Sequence, residues 1–130
     1  SAHHGDDLRG CPRARFPDAG RQPEQCRIHK GYFPESAAGL NEKFCFVNLD
    51  LDLYDPTYQG LWFFQDKMTD SGVILVHDYY SLYDAGEYKG VRAAVDRFFS
   101  EYTGDIRKYP IGDGYSVMLA GFWNAGDSVK

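Results

Sequence analysis

Four residues stand out for the chemistry they could do together: Asp50, Asp52, His77 and Asp78. Asp50 and Asp52 close the apolar run Phe44-Cys45-Phe46-Val47-Asn48-Leu49, and His77 and Asp78 close the run Gly72-Val73-Ile74-Leu75-Val76. Short apolar runs with polar borders read as buried parallel strands. In open α/β sheets, ligands collect outside the carboxyl ends of such strands. The four residues are therefore expected to converge on one edge of a sheet. Carboxylates grouped there bind a hard cation or shift one another's pKa. An imidazole beside them adds a nitrogen donor, or a base that titrates near neutrality. Asp50 and Asp52 share a side if the strand continues through them. Asp52 reads equally well as a residue that bonds the backbone of the following turn.

The elements that must position these residues can be read around them. Asp55-Pro56 is a helix start, with Asp55 as N-cap and Pro56 at the first helical position, and predicts a helix over residues 56–68. Its apolar residues Tyr58, Leu61, Trp62, Phe64 and Met68 follow a 3.6 period. Asp70-Ser71-Gly72 then turns the chain into the second strand. A tyrosine-rich loop, residues 79–90, follows the second acidic pair and reads as a lid or substrate loop. A second helix is predicted over residues 89–102, burying Val91, Ala94, Val95, Phe98 and Tyr102. Residues 106–111 and 114–121 read as strands joined by the hairpin signal Gly112-Asp113-Gly114. Upstream, residues 26–30 suit a short strand and 34–38 a short helix. Strands alternating with helices predict an α/β fold: a mostly parallel sheet with helices on both faces and a C-terminal antiparallel strand pair.

Composition narrows the functional classes. A chain of 130 residues suits one domain, and a net charge of −5 argues against general binding to nucleic acid or to anionic membranes. No run is long and apolar enough to span a bilayer, and no secretory pattern opens the chain. Cys11, Cys26 and Cys45 lack CxxC spacing, so a disulfide framework is not expected, and Cys45, inside an apolar run, is expected to be a buried thiol. A cytoplasmic protein is the default expectation. Residues 1–25 read as an irregular arm, 26–124 as the folded part and 125–130 as a tail.

Four segments, in order, resemble the macrocin O-methyltransferase family. They are Lys30-Gly31-Tyr32-Phe33-Pro34-Glu35-Ser36, the stretch from Val47 through Asp50-Leu51-Asp52-Leu53-Tyr54-Asp55-Pro56-Thr57, Gly72-Val73-Ile74-Leu75-Val76-His77-Asp78-Tyr79, and Gly90-Val91-Arg92-Ala93-Ala94-Val95-Asp96. The resemblance covers residues 26–122 and implies the C-terminal half of a class I methyltransferase domain. It implies S-adenosylmethionine as methyl donor and Mg²⁺, or another divalent metal, as the ion that holds a substrate hydroxyl. The acceptor would be a small molecule of sugar or polyol type. Asp50, His77 and Asp78 match the family's metal positions. His77 stands where the family commonly has Asp, and an imidazole suits Mn²⁺, Fe²⁺ or Zn²⁺ better than Mg²⁺. His77 could instead take the hydroxyl proton, which makes Asp50 and His77 the candidate catalytic pair. Gly31, Tyr32 and Phe33 would border the adenine of the cofactor.

One expected feature is missing. Nothing before Cys26 resembles a strand followed by G-x-G-x-x-G, the loop that grips the cofactor in this fold. The site is therefore expected to be incomplete in this chain, and the strand at residues 44–49 to have an open edge. An open apolar edge invites pairing, so a homodimer through that edge is expected. Two other readings remain open: a non-catalytic methyltransferase half acting as a binding or oligomerisation module, and an Asp-x-Asp glycosyltransferase.

Overall fold

The computed structural model describes residues 25–80 and 90–123. The expected irregular arm, the tail and most of the tyrosine-rich loop lie outside the described residues. Residues 1–31 and 32–130 form two separate compact units. In the first, residues 25–31 are exposed and carry no regular structure, so the strand expected at 26–30 is not formed. A strand needs a neighbour to pair with, and no described strand pairs with this segment.

The second unit holds a short 3₁₀ turn, Glu35–Ala37, followed by β1 (Phe44–Leu49), α1 (Tyr54–Gln65), β2 (Met68–Val76), α2 (Gly90–Glu101), β3 (Asp105–Pro110) and β4 (Val117–Phe122). The sheet order is β1-β2-β4-β3. β1 and β2 are parallel, with Val47 opposite Ile74 and Leu49 opposite Val76. β4 runs antiparallel to both β2 and β3. The chain is α/β as expected, but the sheet is not mostly parallel among the described residues. β4 inserts between β2 and β3, so the closing hairpin contributes two antiparallel pairings against the single parallel one.

Alternation along the strands divides the sheet into two faces. Val47, Leu49, Ile74, Val76, Val117 and Leu119 join Leu61 of α1 and Val91, Val95 and Phe98 of α2 in one core cluster. Each such side chain, once buried, contributes about 1.5–3 kcal/mol. The two helices pack on each other, with the Trp62 and Phe98 ring centroids 4.9 Å apart. Both therefore cover the same face, and the expected helices on both faces are not seen among the described residues. On the other face Phe46 is 56% and Phe122 61% exposed.

Three local expectations shift. α1 starts two residues early: Leu53 takes the N-cap without a side-chain bond, and Asp55 sits in the first turn instead. An acid there still favours the helix dipole, and Pro56 still lies where no N–H partner is required. β2 begins at Met68, so the expected turn at Asp70-Ser71 lies inside the strand. The β1–β2 register shifts between Phe44 and Phe46 to accommodate those residues. Cys45 falls at this irregularity on an edge strand and is exposed, not buried. The second helix and the antiparallel closing hairpin form as predicted.

Candidate metal and methyl-transfer site

β1 and β2 are parallel neighbours, so their carboxyl ends deliver Asp50 and the His77-Asp78 pair to one edge. The pairing continues one step past the strands, where the His77 N–H donates to the Leu49 carbonyl at 3.0 Å. His77 Nδ1 lies 3.1 Å from Asp78 Oδ2 and 3.4 Å from Asp50 Oδ1. That nitrogen is buried and makes no aligned hydrogen bond. One ligand atom from each of Asp50, His77 and Asp78 falls within 4.8 Å of the others. A buried nitrogen 3.1 and 3.4 Å from two carboxylate oxygens presents a mixed N/O donor set of the kind a divalent cation takes.

The backbone at this edge is unusual. Asp52 and Asp78 both have left-handed φ, 63° and 68°, and they are the non-glycine residues among those described that do so. Such conformations carry strain that clusters at functional sites. The turn at Asp52 folds its carboxyl back towards Asp50 and Asp78. Partial burial, the charge of Asp50 and a hydrogen bond with Asp78 raise its pKa above the ordinary 3.8. For His77, partial burial opposes the charged form, but the carboxylates of Asp78, Asp50 and Asp113 outweigh it and raise its pKa above 6.5. Three carboxylates thus crowd one imidazole at this edge.

Two contributors come from the β3–β4 hairpin. The Tyr115 ring stacks near His77, with centroids 6.2 Å apart. Asp113 Oδ1 accepts from the backbone N–H groups of Tyr115 and Ser116 at 2.9 and 2.8 Å. Asp52 was expected at this edge, either in the site or in the turn, whereas Asp113 and Tyr115 were not among the expected site residues. Only Asp52 carried a signal, its spacing from Asp50; the hairpin residues reach the site through β2–β4 pairing, which local sequence does not announce.

The two helices meet at one close approach. A Cβ on Gly90, at the start of α2, would stand 2.6 Å from the Tyr54 backbone nitrogen. Glycine there lets the first turns of α1 and α2 meet beside the acids.

The family model for macrocin O-methyltransferase (TylF) matches residues 11–107. The chain belongs to this family. Among solved structures, the O-methyltransferase NovP is similar with a TM-score of 0.68 and 22% identity, covering 85% of this chain. At that identity the likeness establishes the fold. The chain spans 43% of the NovP chain. No curated protein matches it. Membership of a methyltransferase family implies S-adenosylmethionine as the methyl donor. The family match begins at residue 11, within the segment expected to be an irregular arm.

The family residues expected beside the cofactor are placed differently from the acids. Gly31 has φ 132°, a conformation that favours glycine. Tyr32 is 90% exposed. Phe33 packs on Phe63 and Phe64, in the last turn of α1, at 5.7 and 6.2 Å. The acids precede the first turn of that helix, so Phe33 and the Asp50 cluster sit at opposite ends of α1. Among the described residues no glycine-rich strand-to-helix loop is present, and no helix is long and apolar enough to cross a membrane.

Proposed function

We propose that this chain carries the acceptor-activating half of a metal-dependent O-methyltransferase site, acting on a hydroxyl of a small sugar-like or polyol molecule. The observation that supports it most directly is the convergence of Asp50, His77 Nδ1 and Asp78 within 4.8 Å at the carboxyl ends of two parallel strands. These three residues would hold a divalent cation, whose chemistry there is to lower the pKa of a bound hydroxyl and fix its orientation. His77 serves as third ligand, since Nδ1 is the atom that faces both carboxylates; its nitrogen favours Mn²⁺ or Fe²⁺ over Mg²⁺. The exposed ring of Tyr115 beside His77 gives an acceptor a surface to rest on. The described residues do not supply a glycine-rich grip for S-adenosylmethionine, so no step of this reading depends on how that cofactor is held.

The test is calorimetric titration of the chain with Mn²⁺ and Mg²⁺, beside the Asp50→Asn variant. The reading expects saturable binding that the variant abolishes. Equal affinity in parent and variant would remove Asp50 from the site. A parallel titration with S-adenosylmethionine separates the catalytic reading from the binding-module reading, which the exposure of Phe46 and Phe122 among the described residues favours. Binding at micromolar concentration supports the enzyme, and no binding by a folded chain supports the module.

A further inference from the structure

The backbone turns sharply after β2, and it is pinned on both sides of Asp78. Before it, the His77 N–H is bonded to the Leu49 carbonyl; after it, the Tyr80 N–H donates to the Tyr115 carbonyl at 2.8 Å. Between these pins Asp78 adopts its left-handed φ of 68°. Tyr79 leaves the turn in the other direction, into the protein, and is 3% exposed. Its hydroxyl donates to Asp96 Oδ1 on α2 at 2.6 Å. Lys108 Nζ on β3 donates to the same hydroxyl at 3.3 Å and to Asp96 Oδ1 at 3.2 Å. The Arg92 guanidinium lies over the Tyr79 ring, 5.1 Å from its centroid. One phenol thus ties the turn to a helix residue 17 positions on and to a strand residue 29 positions on.

Packing alone does not account for this arrangement. A phenylalanine would fill the same volume without requiring a carboxylate and an ammonium beside it. The polar trio fixes where the residue after Asp78 can lie, and so fixes the direction of the Asp78 side chain. We propose that Tyr79 is a positioning residue: its hydrogen bond to Asp96, braced by Lys108, holds the left-handed turn that aims the Asp78 carboxylate at His77 and Asp50. The inference rests on the metal-site reading above. Groups that orient a ligand from behind commonly affect metal affinity by 10–100-fold.

The experiment uses the 130-residue chain and Mn²⁺, with free ion followed by electron paramagnetic resonance. Tyr79→Phe keeps the ring and removes the tether; it is expected to weaken Mn²⁺ binding about tenfold with the circular dichroism spectrum unchanged. Asp96→Asn keeps an acceptor for the phenol and is expected to stay within about twofold of the parent, whereas Asp96→Ala should match Tyr79→Phe. Unchanged Mn²⁺ affinity in Tyr79→Phe overturns the proposal. If the parent itself binds no Mn²⁺, the metal reading falls, and amide exchange at Tyr80 decides the tether separately. Faster exchange there in Tyr79→Phe, with Ile74 unchanged, upholds the positioning of the turn; equal exchange removes it.

Discussion

The two ends of the β1–α1–β2 unit are built by opposite rules. At the end where β1 starts and α1 finishes, Phe33, Phe44, Phe63 and Phe64 interlock edge to face and stacked. At the end where the strands finish, three carboxylates and an imidazole crowd together on two left-handed turns. The first arrangement lowers the free energy of the fold through area and ring geometry. The second raises it, through like charge and backbone strain, and persists because the rest of the unit is well packed. Perturbing the core and perturbing the acids should therefore give opposite signatures. Phe98→Ala, at a fully buried ring shared by both helices, should destabilise by about 3–5 kcal/mol in chemical denaturation, enough to leave much of the chain unfolded. Asp50→Asn should leave stability near the parent's while divalent-metal binding disappears. A large loss of stability in Asp50→Asn, or a small one in Phe98→Ala, would erase the distinction between the packed core and the acidic end.

The same division governs what the sequence disclosed. The apolar runs at Val47–Leu49 and Ile74–Val76, and the stripe Val91, Ala94, Val95, Phe98, were legible because burial imposes a period on local sequence. Asp50, His77 and Asp78 were legible because they terminate those runs. What failed was non-local. The insertion of β4 between β2 and β3 gave two antiparallel pairings, and no local pattern encodes strand order. Cys45 was misjudged because its exposure follows from a register shift opposite Thr69 to Gly72, a property of two strands and not of one. Asp113 and Tyr115 reach the site only through the closing hairpin. The boundary of α1 moved because the N-cap went to Leu53, which offers no side-chain bond to mark it.

The open edge of β1 extends the comparison from the ends of the unit to its sides. β1 has no outer neighbour among the described residues, and Phe46 is exposed on it. The expected homodimer would use this edge, since unpaired backbone groups beside an apolar residue favour strand addition. Light scattering after size exclusion should then report a dimer for the parent and a shift to monomer for Phe46→Lys. A monomeric parent would end the idea. The strained turns allow a subtler check on the acidic end. Asp52→Gly relieves both the left-handed φ and one crowded carboxylate, and should stabilise the fold by up to about 1 kcal/mol, after the larger entropy of glycine in the unfolded chain is allowed for. Destabilisation would mean that the Asp52 carboxyl contributes more through its bonds than it costs through strain.

The smallest effect concerns the hairpin that carries Tyr115 to the site, and its sign can be derived from one residue. Asp113 is held at about 2, below its ordinary 3.8, first by the Ser116 hydroxyl, then by the Ser116 and Tyr115 N–H groups, with the charge of His77 adding to them. All of these favour the carboxylate, so folding favours deprotonation. The stability Asp113 contributes is therefore fully present above about pH 4 and is lost as pH falls through about 2. Asp113 is exposed, so solvent screens the contribution and only a slight change is expected. Comparing melting temperatures of parent and Asp113→Asn across that acid window isolates it. The gap between the two should narrow as the pH drops, because both then carry a neutral side chain at this position. A gap that stays constant would mean that the asparagine loses the turn bonds for reasons of shape, and that the charge of Asp113 does nothing to hold the hairpin against His77.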